Sequence, residues 1–359
     1  MRYAERQERI LARMSDEGVD ALLITNLTNV RYACGYIGSN GSVLLSPARR
    51  MLFTDFRYLQ AARDQTAGVE VVEAGRDLFD KLSEALEGLA AARVGFEAEH
   101  TSVVRHERLR ARLDTTELVA TTGMVEAIRR IKEPAEIAVM ARAAQITDLG
   151  FAACRDGVFA GRTERQVAWE LETIMRQAGA DGPSFGIIVA SGENGARPHA
   201  VPGETRIAKD TLVTIDMGAV LDGYVSDCTR TFATGPLPAS LAEAYDVCLA
   251  AQQAALAAVR PGISGGDLDK VARDHIGAAG LGEAFRHSLG HGVGMDVHEE
   301  PYAREGLTDE LGLGMTVTIE PGIYLEGIGG VRIEDLVVVT EHGCNVLTGF
   351  TKELLTVDS

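Results

Sequence analysis

The sequence predicts two domains, an α/β domain followed by an α+β domain. Three observations carry this. Short apolar runs alternate with amphipathic helical stretches over roughly the first third of the chain. Beyond it, two long helices followed by strands occur twice in succession. In each round the strands carry acidic residues that strand periodicity places on one face.

The first domain opens with an amphipathic helix at 5–17, with Ile10, Leu11 and Met14 on one side. Strand-like runs follow at 21–25, 42–46, 50–54, 69–74 and 93–98, with helical runs at 56–66, 77–91 and 102–113 and a last strand at 117–121. This domain is expected over 1–125, with a linker at 126–133. Pro134 then opens a long helix, since proline is tolerated in a helix's first turn. The second domain, 134–359, should hold long helices at 134–156, 163–178, 238–259 and 266–279.

Residues 211–220 (TLVTIDMGAV) alternate, with Val213, Ile215 and Met217 on one face and Asp216 on the other. Asp222-Gly223 is a strong two-residue hairpin turn. Closing it pairs Leu221 with Tyr224 and Asp216 with Thr229, leaving Asp227 diagonal to Asp216 at roughly 7–8 Å. In the second round, TVTIEPGIY (316–324) and GVRIEDLVVVT (330–340) flank a glycine-rich loop. Pairing Tyr324 with Gly330 sets Glu320 opposite Glu334. Like charges directly opposed are destabilising, and a bound cation would neutralise them. Any one of these acids alone reads most simply as a solvated hairpin residue. Together with His291 they form a set, Asp216, Asp227, His291, Glu320 and Glu334, able to hold two metal ions. Carboxylates suit hard divalent cations, and imidazole suits Mn, Co or Zn. Two bridging carboxylates would give the spacing of two-metal hydrolases, roughly 3.5–4 Å.

Composition narrows the field. The formal charge is 35 − 52 = −17, which disfavours nucleic acid and anionic membranes as partners. The five cysteines are scattered, with no CxxC, and read as free thiols of a reducing cytoplasm. The charged N-terminus lacks an apolar signal-peptide core. No run approaches 18 uninterrupted apolar residues, so no transmembrane helix is expected. The clusters GISGGD and GHGVG match neither phosphate-loop nor dinucleotide spacing, and HExxH is absent.

The stretch HSLGHGVGMDVHE (287–299) resembles the aminopeptidase P and proline dipeptidase (prolidase) family of pita-bread metallopeptidases. The N-terminal run NVRYACGYIGSNGSVLLS resembles that family's accessory domain, so the likeness spans nearly the whole chain. It implies an α/β creatinase-like N-terminal domain and an α+β pita-bread catalytic domain with pseudo-twofold symmetry. It also implies two divalent metal ions per subunit, Mn foremost, with Co or Zn as alternatives. Asp227 and Glu334 would bridge, Asp216 would serve one ion, and His291 and Glu320 the other. His199, His298 and Glu320 would be catalytic, with Glu320 shuttling a proton. His287, Tyr324 and Arg332 would lie on the substrate side. The expected activity is removal of an N-terminal residue preceding proline from short peptides, by a homodimer. The first alternative is a prolidase confined to Xaa-Pro dipeptides. Some prolidases carry an arginine directly after the proline of the V-H-E-x-P run, where this chain has Tyr302 and, two further on, Arg304. That departure favours the aminopeptidase. A non-catalytic pita-bread binding protein is the remote alternative, disfavoured by retention of all five ligands.

Overall fold

The computed structural model describes residues 1–89, 91–113 and 115–357. The chain divides into two compact units, Met1–Arg129 and Arg130–Ser359.

In the first unit a mixed six-stranded sheet runs in the order Glu70–Ala74, Arg50–Asp55, Gly41–Leu45, Ala21–Ile24, Arg93–Glu97, Glu117–Thr121. The central strand Ala21–Ile24 is buried throughout. A helix at Leu27–Cys34, which the sequence pattern does not predict, overlaps the start of the NVRYACGYIGSNGSVLLS run. Its ends were legible: the Asn26 side chain accepts from Thr28 N–H, and Gly35 closes it with φ 88°.

The second unit repeats a two-helix-plus-strands plan. Helices Pro134–Arg155 and Glu164–Gln177 precede the strands Leu212–Met217 and Cys228–Ala233. Helices Ala239–Ala258 and Gly265–Ala278 precede Thr316–Ile319 and Asp335–Thr340. The backbone repeats in detail. Gly161 and Ile207 exchange N–H···O bonds through Arg162, as Gly262 and Leu311 do through Ile263. Asp210 and Gly314, at φ 59° and 80°, precede the strands Leu212–Met217 and Thr316–Ile319, which deliver Asp216 and Glu320. The pseudo-twofold is therefore written in hydrogen bonds, although few side chains repeat beyond TLVTID and MTVTIE.

Both hairpins have the expected register. Leu221 pairs with Tyr224 and Asp216 with Thr229. Tyr324 pairs with Gly330, and Gly322 with Arg332. Ile319 pairs with Asp335, so the same frame resumes beyond Glu320 and Glu334. Between these ladders the pairing opens. Glu320 N–H bonds Leu289 O at 2.9 Å, and Glu334 N–H bonds Thr229 O at 3.1 Å. Strand periodicity alone could not show this, because it follows from what packs alongside. The short strands Ile188–Ser191, Gly290–Gly292, Glu299–Ala303 and Gly343–Val346 were likewise unread.

Among the described residues one helix, Pro134–Arg155, is long and apolar enough to cross a membrane by length and composition. Glu136, Arg142 and Asp148 break its apolar run, so the sequence shows no uninterrupted apolar span there. Its Met140, Ala143, Phe151 and Cys154 are buried in the second unit.

Gly218 interrupts the first hairpin beside Asp216. A Cβ there would lie 1.8 Å from Ser226 O. Ser226 is itself fixed, its Oγ bonding Thr147 Oγ1 at 2.8 Å and accepting Ala219 N–H at 2.9 Å. Gly218→Ala is expected to cost about 1–3 kcal/mol, as overpacking does, in chemical denaturation. Gly277→Ala, in helix Gly265–Ala278 with open space around it, should be neutral or stabilising by about 0.5–1 kcal/mol. Equal effects at the two sites would refute the crowding at Gly218.

Candidate metal centre

Asp216, Asp227, His291, Glu320 and Glu334 all line one cavity of about 400 Å³ in the second unit. Asp216 lies next to the end of strand Leu212–Met217 and Glu320 directly follows strand Thr316–Ile319, with Asp227 and Glu334 on the returning segments. His291 occupies the short strand Gly290–Gly292, where Gly290 lies against the neighbouring backbone. A Cβ at Gly290 would come 1.9 Å from Thr318 O. That approach lets His291 N–H donate to Thr318 Oγ1 at 3.0 Å, while Thr318 Oγ1 donates to Glu320 at 3.0 Å. The His291 Nδ1 contacts Gly292 O at 3.1 Å. A carbonyl only accepts, so Nδ1 carries a hydrogen, and Nε2 faces the carboxylates, where a second hydrogen gives the charged imidazolium that bonds Glu320.

Nε2 lies 3.1 Å from Glu320 and 3.8 Å from Asp227. One ligand atom from each of Asp227, His291 and Glu334 falls within 4.8 Å of the others. Asp216 Oδ1 and Glu334 Oε1 are buried with no hydrogen-bond partner. Orphaned buried carboxylate oxygens are costly, and a divalent cation is the natural partner for them. The donor set fits hard cations such as manganese.

The electrostatics agree. Burial, then the Glu334, Asp216 and Glu320 charges, push the Asp227 carboxyl well above the usual range. Glu334 is raised by burial, then by Glu320 and Asp216. Burial also raises Asp216, in spite of Arg332. Glu320 goes the other way. Burial pushes it up, but the hydrogen bond and charge of His291 hold it down to about 2. Burial pushes His291 down, but the hydrogen bond and charge of Glu320, the Gly292 carbonyl and Asp216 together raise it.

The expected substrate-side residues surround the acids. Arg332 is buried and donates to Asp216 at 2.7 Å, Thr229 Oγ1 at 3.0 Å, Tyr324 Oη at 3.0 Å and Pro198 O at 3.3 Å. Thr229 Oγ1 donates to Glu334 at 2.7 Å. Tyr324 Oη lies 2.9 Å from His287 Nε2. His199 and His298 line the cavity with exposed rings, and the His298 ring centroid is 4.3 Å from that of His291. Burial lowers both His287 and His298 below the usual histidine value.

Sequence reasoning missed several supports. Phe185, Ile188, Val201 and Val297 form an apolar wall of the cavity. Buried Asp269 accepts Leu289 N–H at 2.9 Å and pairs with Arg273 at 2.8 Å. Arg273 in turn donates to the carbonyls of Phe285 and His287. Lys132 and Glu299 form a buried pair at 2.6 Å directly after His298. The HE dipeptide gave a hint of Glu299, whereas Asp269 reads as an ordinary helix acid.

Residues 138–341 match the family model for metallopeptidase family M24, and residues 6–131 match that for the Creatinase/Prolidase N-terminal domain. The Xaa-Pro dipeptidase of Pyrococcus horikoshii is 35% identical over 353 residues, which is 98% of this chain and 99% of that protein. The solved Xaa-Pro dipeptidase from Bacillus anthracis has TM-score 0.96 and 39% identity, covering 99% of this chain and 100% of the other. The solved X-Pro aminopeptidase from Thermotoga maritima has TM-score 0.91 and 35% identity, covering 98% and 100% respectively.

The raised carboxyls set a sign for pH dependence. A carboxyl raised in the folded state favours folding while protonated. That contribution is present below the ordinary carboxylate value and is lost as pH climbs through the raised one. The metal-free protein should therefore lose this stability as pH rises from the ordinary carboxylate range through the raised values of Asp227, Glu334 and Asp216, and added Mn²⁺ should restore it. Asp227→Asn should raise the metal-free Tm at neutral pH by at least about 2 °C and abolish the Mn²⁺-induced rise. A lower metal-free Tm for this variant in thermal denaturation would contradict the charge-crowding account.

Proposed function

The chain belongs to metallopeptidase family M24, and on that premise we propose that it is an Xaa-Pro dipeptidase using two divalent cations, manganese foremost. The supporting observation is full-length similarity to Xaa-Pro dipeptidases together with five candidate ligands lining one cavity. This moves the reading away from the aminopeptidase that Tyr302 suggested. The five unpaired thiols fit a reducing compartment such as the cytoplasm.

Asp216, Asp227, His291, Glu320 and Glu334 would hold the cations. Bound there, these supply Lewis acidity and lower the pKa of water. The protein's own residues do the rest. Glu320, kept ionised beside His291, is placed to accept a proton and pass it to the leaving amine. His199 and His298 present exposed rings to the cavity and donate to charge that develops in the transition state. Arg332 fixes Asp216, and through Thr229 it fixes the Glu334 carboxylate. A proline amide has no N–H, so recognition must come from shape. The wall of Phe185, Ile188, Val201 and Val297 is suited to that.

One observation favours a second reading, an Xaa-Pro aminopeptidase. Tyr302 lines the cavity, and the Arg304 guanidinium lies 5.7 Å from the Tyr302 ring centroid instead of lining the cavity itself. Arg332, the one arginine lining it, is engaged by Asp216. A substrate carboxylate next to proline therefore meets no uncommitted guanidinium among the cavity-lining residues.

The two readings separate in a side-by-side assay of Xaa-Pro dipeptides and Xaa-Pro-Yaa tripeptides with Mn²⁺, Co²⁺ or Zn²⁺. The dipeptide should have a kcat/KM at least tenfold higher, and chelation should abolish activity. Equal or better cleavage of tripeptides would establish the aminopeptidase. Full activity after rigorous metal removal would overturn both.

A further inference from the structure

The 191–203 loop carries His199 and forms one side of the cavity, with Pro198, Ala200 and Val201 also lining it. It holds none of the five candidate ligands. Its shape is constrained at both ends by one distant side chain. Glu164 opens helix Glu164–Gln177 and is buried, with 1% exposure. Its Oε1 accepts from Ser191 N–H at 2.9 Å, Ser191 Oγ–H at 3.0 Å and Asn194 Nδ2–H at 3.0 Å. Its Oε2 accepts from Asn194 Nδ2–H at 3.2 Å and Gly203 N–H at 3.4 Å. The Glu164 and Arg165 backbone N–H groups add bonds to Thr205 O and Gly203 O.

These partners are neutral donors. An ionised carboxylate satisfied by neutral donors makes charge-assisted bonds about twice as strong as neutral ones. The contact is also specific in polarity. A glutamine of the same shape would turn an NH₂ group onto N–H donors. Midway along the loop, Pro198 O accepts from Arg332, and Gly195 packs against Gly330, so the loop is pinned to the floor of the site as well.

We propose that Glu164 is a positioning residue that sets the place of His199 and the adjoining cavity wall, and so governs how substrate is held without touching substrate or metal. This rests on the peptidase reading for its kinetic part only. It predicts that Glu164 and His199 act as one unit, since removing either should have the same consequence.

The test is a double-mutant cycle of Glu164→Gln and His199→Ala in the full chain, with Mn²⁺ bound. Three readouts are needed: kcat and KM on an Xaa-Pro dipeptide, bound Mn²⁺ per chain, and hydrogen–deuterium exchange. Glu164→Gln should lower kcat/KM at least tenfold with Mn²⁺ stoichiometry unchanged. The loss in the double variant should fall well short of the product of the two single losses, because His199 accounts for most of what Glu164 holds in place. Exchange should rise across 191–203 and stay unchanged in the hairpin 212–233. Glu164→Asp should recover part of the loss. Multiplicative effects in the cycle, loss of Mn²⁺, or unchanged exchange in the loop would each overturn the proposal. Should Glu164→Gln fail to fold, Asn194→Ala decides in its place, with a smaller loss in kcat/KM and the same exchange pattern expected. Absence of Xaa-Pro hydrolysis by the unaltered protein would refute the peptidase reading alone, since the exchange readout stands without it.

Discussion

Four carboxylates lining one cavity resist being charged together. That constraint organises the second unit. Asp227 and Glu334 are pushed toward protonation by burial and by each other's neighbours. Only Glu320 stays readily ionised, because His291 stands beside it. A chain folding without compensation would have apolar residues here. The retained acids, two with orphaned oxygens, make a centre that is completed by cations and is strained without them.

The scaffold delivers these groups by using one device twice. Each half ends a strand in an acid and returns a second acid from the partnering segment. In the second half the ladder opens at Glu320 and Glu334, whose N–H groups bond across to Leu289 and Thr229, whereas Asp216 stays paired with Thr229. The threonines between them, Thr229 and Thr318, relay that order to Arg332 and His291.

Much of this was legible. The period-two pattern and the Asp222-Gly223 turn give the register that places Asp216 opposite Thr229, and the second hairpin follows from Tyr324 and Gly330. The set of five was readable only as a set: any one acid alone reads as a solvated hairpin residue, but four acids and a histidine in paired strand contexts converge on one cavity. What escaped depends on tertiary surroundings. The strand Gly290–Gly292 is three residues long, too short for periodicity, and exists because Thr318 and Tyr302 flank it. Glu164 and Asp269 are first-turn or mid-helix acids, indistinguishable in sequence from solvated ones until the loops they grip are in place. The choice between dipeptidase and aminopeptidase turned on a single position, Tyr302, and one residue weighs less than similarity along the full chain.

The contacts from Arg332 to His287 have a direction. Arg332 can only donate, so the Tyr324 oxygen receives its proton-bearing nitrogen and keeps its own hydrogen for another partner. That partner is His287 Nε2, which must then be bare. At the other side of the ring Ser288 O can only accept, 2.8 Å away, so Nδ1 bears the hydrogen. His287 is thus locked as a neutral single tautomer with both nitrogens spoken for. Of the three histidines beside the candidate ligands, it is a strut whose ring edge is already occupied, leaving His199 and His298 as the two with free hands.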